Sequence, residues 1–266
     1  MTDLSNRTAL ITGGGTGLGR SMALGLARMG ADLIINYSRS AEDAEATAAE
    51  CRALGVGAKA VKGDVSTAEG CAALAAAVDG PLHILINNAG ITRHAKDHSD
   101  LDALSKDDFM DIYAVNVVGP YLALQALKPA LVQAYEETGR ASAVLNTSSI
   151  AGVIGIGSSV AYAASKGALN TMTLSLARAL GPAIRVNAVC PGFIGTRWFK
   201  DAMDEDEFAN IVKRVENSTP LNAASGPDDI AEAALFFVTD ASRHITGEMM
   251  KVDAGTHLGH VTLAKK

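Results

Sequence analysis

Ser149, Tyr162 and Lys166 are the residues in this chain whose types and spacing suit proton transfer. Tyr162 and Lys166 stand four apart in an Ala- and Leu-rich run that reads as a helix from Ala161 to Leu180, stopped by Gly181-Pro182. Residues at that spacing emerge on one helix face. Ser149 closes an apolar run that begins at Ala143 and reads as a buried strand with a polar edge, so its hydroxyl can return to that face. A free phenol titrates near 10 and is a weak base at neutral pH; lowering that value by two to three units takes about 3–4 kcal/mol. One close ammonium at an effective dielectric of ~20 supplies about that much. The same Y-x-x-x-K spacing also occurs on ordinary half-exposed helices.

The elements that must position these groups alternate along the chain. Strands are expected at Thr8–Thr12, Ala31–Asn36, Ala58–Val61, His83–Ile86, Ala143–Ser149, Ile184–Val189 and Met249–Val252. Helices are expected at Arg20–Met29, Ala41–Leu54, Thr67–Val78, Lys106–Tyr135 and Ala161–Leu180, with further starts near Asp204–Glu207 and at Pro227. Such alternation predicts one α/β domain over residues 1–266, a parallel sheet with helices on both faces. The 266 residues, 48% of them hydrophobic, suffice for one large core.

In such a sheet ligands sit beyond the strand C-termini. The first of these turns is Thr12-Gly13-Gly14-Gly15-Thr16-Gly17-Leu18-Gly19, leading into a helix. Glycines admit a pyrophosphate close to the backbone, and the helix N-terminus offers free N–H groups. The spacing is G-x-x-x-G-x-G; the frame for G-x-G-x-x-G fails at Arg20. Gly14–Ser21 also approaches the phosphate-loop pattern G-x-x-x-x-G-K-[ST], but Arg20 takes the lysine's place and no obvious Mg²⁺-holding Asp follows an apolar strand.

A net charge of −6 argues against nucleic acid or an anionic membrane as partner. Three cysteines without C-x-x-C, no apolar leader and no run of eighteen apolar residues predict a soluble cytoplasmic protein. His94 and His98, four apart, lack a third ligand, so no metal is expected.

The T-G-x-x-x-G-x-G loop, Asn87-Asn88-Ala89-Gly90, Ser149, Tyr162-x-x-x-Lys166 and Pro191-Gly192 fall in one order and spacing. Together, from Arg7 to Gly255, they closely resemble the short-chain dehydrogenase/reductase family. The resemblance implies a single Rossmann-type domain, a doubly wound seven-stranded parallel sheet, binding NAD or NADP. Ser149 would hydrogen-bond a substrate carbonyl, Tyr162 would be general acid or base, and Lys166 would lower the pKa of Tyr162 and hold the nicotinamide ribose. Asn116 matches the residue that anchors a water in the proton relay. The loop residues Gly13, Gly15, Thr16, Gly17, Leu18 and Gly19 would carry the pyrophosphate. Asp64 and Val65 match the adenine contacts; Asn88, Ala89 and Gly90 line the adenine ribose; Ile194 and Thr196 clamp the carboxamide.

After the second strand, Tyr37, Ser38 and Arg39 offer hydroxyls and a guanidinium with no carboxylate before Glu42. That suits a 2′-phosphate and predicts NADP(H) over NAD. Thr92–Asp100 and a substrate loop at about 193–220, with Arg197, Trp198 and Phe199, should wall the substrate; Trp198 reads as a lid or as core. The expected activity is interconversion of a secondary alcohol and a ketone. An alternative is 3-oxoacyl-[acyl-carrier-protein] reduction, against which Glu136-Glu137 and the acidic chain give little steering of an acidic carrier. Outside catalysis, a dinucleotide-sensing regulator could use the same fold, though such proteins tend to lose the Tyr or Lys. A homotetramer, or a homodimer, through the two long helices is implied, with Ala163, Ala164 and Ala168 permitting close packing.

Overall fold

In a computed structural model that describes residues 3–95, 97–196 and 204–259, seven strands form one parallel sheet. They are β1 (Thr8–Ile11), β2 (Asp32–Tyr37), β3 (Ala58–Lys62), β4 (Ile84–Asn87), β5 (Ser142–Thr147), β6 (Ile184–Pro191) and β7 (Met249–Val252). Their spatial order is β3-β2-β1-β4-β5-β6-β7, and every neighbouring pair is parallel. The order reverses between β1 and β4, which opens a crevice at the strand C-termini there.

Helices on both faces explain why the central strands are apolar almost without interruption. Ile11 and Leu145 turn to one face, where α1 (Gly17–Arg28) and α2 (Ala41–Ala53) pack with Met22, Leu26, Ala44 and Ala48. Leu10 and Val144 turn to the other, beneath Leu74 of α3 (Ala68–Ala76) and Leu127 and Leu131 of the longer helix described next.

The helix expected over Lys106–Tyr135 is interrupted. It comprises α4 (Lys106–Tyr113), a π turn at Ala114–Val118, and α5 (Gly119–Thr138). The π turn centres on Asn116, which is fully buried and whose amide is spent outside the helix. By length and composition Lys106–Thr138 is apolar enough to cross a membrane, but its apolar side, including Leu124 and Leu127, lies against the sheet.

Between β5 and α7 (Val160–Leu180), the expected Gly-rich connection holds a single helical turn, α6 (Ala151–Ile154). Asp204 caps α8 (Glu205–Ser218) by accepting from Glu207 N at 2.8 Å, and α9 (Pro227–Phe236) opens with Gly226 N donating to Asp229 at 2.7 Å.

Candidate active site

Thr12, the residue after β1, is 2% exposed and fastens the glycine loop to the end of β4. Its Oγ1 accepts from Asn88 N at 2.9 Å and Ala89 N at 3.1 Å. Asn88 answers with its side-chain amide, which donates to Thr12 O at 3.2 Å and Gly13 O at 3.0 Å. Gly13 adopts φ +61°, and a Cβ there would lie 3.0 Å from Ala89 Cα, so both its conformation and its contact favour glycine.

Past this turn, α1 begins with no side-chain cap and no acidic residue in its first turn. Its leading N–H groups are therefore open to an external anion. Gly19 departs from the sequence expectation: it does not line the cavity. A Cβ on it would run into Gly13 O and lie 2.6 Å from Asn88 Nδ2, so it is a packing glycine that lets α1 close onto the loop. Arg20, the residue in the phosphate-loop lysine's place, pairs with Glu50 at 2.5 Å.

One cavity of about 770 Å³ runs along the crevice. Gly13, Gly15, Thr16, Gly17 and Leu18 line its middle; Tyr37, Ser38, Arg39, Asp64 and Val65 line one end. Asn88, Ala89, Gly90, Ile194 and Thr196 lead to the other, where Ser149, Tyr162 and Lys166 converge. The first end is shaped by Asn36, a residue the sequence reading passed over. Its Oδ1 accepts from Gly13 N at 3.3 Å, and its Nδ2 donates to Gly63 O at 2.8 Å, tying β2 to the loop. Its signal was a polar residue closing an apolar strand. Arg39 is exposed there and has no ion pair among the described residues.

At the catalytic end, Ser159 caps α7 by accepting from Tyr162 N at 3.2 Å, which sets the first turn of the helix under the strand edge. Ser149 Oγ accepts from Ala151 N at 3.1 Å and hydrogen-bonds the Tyr162 side chain. Lys166 is 3% exposed; its Nζ donates to Thr147 O at 2.8 Å and lies 5.6 Å from the centre of the Tyr162 ring. Burial lowers the Lys166 pKa to about 8. The expected direction at Tyr162 is reversed: burial raises its pKa, and only the Ser149 bond pulls it down. The physical reason is that the ammonium is turned to a backbone carbonyl while the phenol loses water.

Asn116 likewise does not reach the cavity. Its Nδ2 donates to Ile91 O at 3.0 Å and Ser165 Oγ at 3.1 Å, and its Oδ1 accepts from Ile91 N at 2.9 Å. Both amide protons are used, so the side chain braces the turn after β4 against α7 and has no donor left for a water.

Beside the cavity, residues 92–95, 97 and 98 are clasped to the turn before α7. Thr92 Oγ1 and Ser158 Oγ are 2.5 Å apart, Ala95 N donates to Ser158 O at 2.8 Å, and the His98 ring meets Gly157 O at 3.1 Å. His94 lines the cavity. Arg197, Trp198 and Phe199, expected to cover the substrate, lie outside the described residues.

A dinucleotide fits this donor set. The uncapped helix would seat a pyrophosphate, with Tyr37, Ser38 and Arg39 lining one end of the cavity and the buried Lys166 ammonium the other. A protein-family model described as enoyl-(acyl carrier protein) reductase matches residues 13–257. Ketoacyl reductase 2 of the granaticin polyketide synthase of Streptomyces violaceoruber is 40% identical over 94% of this chain and 96% of its own. A short-chain dehydrogenase/reductase structure from Burkholderia xenovorans is 36% identical at TM-score 0.85, covering 96% of this chain and 99% of that one. The RhlG/NADP active-site complex of Pseudomonas aeruginosa is 29% identical at TM-score 0.86, covering 96% and 98%.

Proposed function

The chain belongs to the short-chain dehydrogenase/reductase family, and we propose that it reduces a ketone to a secondary alcohol with NADPH, or runs the reverse. The observation that carries this reading is the convergence of Ser149, Tyr162 and Lys166 on the cavity that holds the glycine loop. When bound, the nicotinamide supplies the hydride. Ser149 Oγ donates to the substrate carbonyl oxygen, and Tyr162 passes its phenolic proton to that oxygen as the carbon accepts hydride. A phenol pushed up by burial is protonated at neutral pH, which suits the acid role and hence the reductive direction. Lys166, cationic below about pH 8, offsets negative charge left on the phenol and reaches for the ribose. Asn116 would anchor a relay water only through its main chain, where the π turn disturbs the helical ladder.

NADP(H) is the preferred cofactor in this reading because Arg39 has no ion pair among the described residues at the end proposed for adenosine, and the NADP complex of the Pseudomonas relative supports the choice. A cytoplasmic location is part of the same reading, and the three buried free cysteines support it. Assembly as a homotetramer or homodimer is supported by apolar residues exposed on the long helices, Tyr121, Val160 and Leu174, and on the π turn, Val118.

The second reading, reduction of a 3-oxoacyl group on an acyl carrier protein, is favoured by the name of the Streptomyces relative, a ketoacyl reductase, together with the family model's description, which names the carrier. The purified protein should oxidise NADPH in the presence of small ketones. Turnover of acetoacetyl thioester or acetoacetyl carrier, with small ketones inert, would select the second reading; no turnover of either would reject both.

A further inference from the structure

At the sheet edge opposite the crevice lies a second cavity of about 540 Å³. The residues around it precede or begin strands: Arg7 before β1, His83 before β4, Arg140 before β5 and Arg185 in β6, joined by Asp240 and Arg243 from the segment between α9 and β7. Four guanidiniums gather here in a chain whose net charge is −6. A strand of six residues at ~3.3 Å rise separates the two cavities by about 20 Å, so the glycine loop plays no part in it.

The cations are only partly balanced. Asp240 accepts from Arg7 Nη2 at 3.1 Å and from Arg140 Nη1 at 2.5 Å. Arg185, 8% exposed, meets carbonyls alone: Nη1 donates to Ile245 O at 2.9 Å and Nη2 to Phe237 O at 3.0 Å. The Arg243 guanidinium has neither an ion pair nor a hydrogen bond among the described residues. His83 Nδ1 accepts from Thr8 N at 3.1 Å, which leaves the proton of the neutral ring on Nε2, a donor without a partner among the described residues. Burial and the Arg7 charge hold the His83 pKa down, with Glu137 opposing them. Glu137 is the other carboxylate nearby, and it takes Gln133 Nε2 at 2.8 Å. Among the described residues four cations thus face two carboxylates, and Arg185 is buried with no ion pair, the Asp240 charge acting on it only from a distance, an arrangement that gains from an added anion.

We propose that this cavity binds a small polyanion bearing phosphate groups. Guanidinium forks match phosphate oxygens bidentately. Arg7 and Arg185 are set back in the wall, where a small ion reaches them and a protein surface does not.

Calorimetric titration of the full chain with inorganic pyrophosphate and with orthophosphate, at low ionic strength to limit screening, tests this. Saturable pyrophosphate binding, tighter than that of orthophosphate, is expected. Arg243→Gln, at an exposed and unpaired residue, should weaken it about tenfold. Asp240→Asn should tighten it, because the internal competitor for Arg7 and Arg140 loses its charge. Equal affinity in all three proteins would place the anion at the glycine loop or mark it as adventitious, and overturns the assignment. So does weaker binding in Asp240→Asn with an unchanged melting temperature, orthophosphate binding as well as pyrophosphate, or no saturation of the parent protein by about 10 mM.

Discussion

Lys166 Nζ lies 2.8 Å from the main-chain oxygen of Thr147, the last residue of β5. A strand end thus holds the ammonium, and the ammonium in turn sits beneath the Tyr162 ring. The cost of burying that charge makes Lys166 one of the groups that set how the protein responds to alkali, beside Cys51 and Cys71, whose thiols burial pushes up to about 11.

The Lys166 pKa falls from 10.5 to about 8 on folding, so below pH 8 the folded chain carries a charge that the unfolded chain bears more easily. The penalty is fully present below about pH 8 and is relieved as pH rises towards 10.5; over the whole interval it amounts to about 3 kcal/mol. Tyr162, with a raised pKa, acts in the opposite sense, but only above pH 10. Denaturant unfolding of the parent protein and Lys166→Met from pH 7 to 10 should show the parent gaining stability relative to the variant. A constant difference across that range would contradict the assignment.

Tyr162→Phe removes the proton donor and leaves the cavity shape. Its kcat for ketone reduction should fall by about 10²–10⁴-fold, with dinucleotide affinity close to that of the parent. In the parent, kcat/KM for reduction should hold to about pH 8 and decline above it as Lys166 loses its charge. Steady-state profiles and a fluorescence titration of reduced dinucleotide check both.

Arg39→Asp replaces a guanidinium that has no ion pair among the described residues, at the end of the cavity proposed for adenosine, by a carboxylate. The ratio of kcat/KM for NADPH to that for NADH should drop by about 10–100-fold, from one lost charge-assisted contact and new repulsion. A tenfold preference of the parent for NADH would reject the NADP reading at the outset.

Thr12→Val leaves Asn88 N and Ala89 N without their shared acceptor. A loss of about 2–4 kcal/mol in stability and weaker dinucleotide binding are expected, both largely restored by Thr12→Ser. Thermal melts with and without dinucleotide separate the two effects.

The sheet was legible because period and punctuation agree at every strand: apolar runs such as Ala143–Asn146, buried on both faces, end at polar or glycine turns. The chemistry-bearing spacing of Tyr162 and Lys166 needed only helix geometry. Three features were not legible. The π turn at Ala114–Val118 is imposed by tertiary bonds from Asn116 to Ile91 and Ser165, and no local residue announces it. The direction of the Tyr162 shift depends on where Lys166 Nζ points, which spacing does not give. The gathering of Arg7, Arg140, Arg185 and Arg243 joins residues far apart in the chain, which the overall acidic balance hides.

The clasp that Thr92, Ala95 and His98 form with the turn before α7 includes a peptide-to-peptide bond, Ala95 N to Ser158 O. A bond of that kind is indifferent to which side chains the two segments carry. His94, outside the side-chain bonds that Thr92 and His98 add to the clasp, can therefore be exchanged without breaking it, and the side chain facing the cavity there is open to change by a descendant, or by an engineer, in a single step.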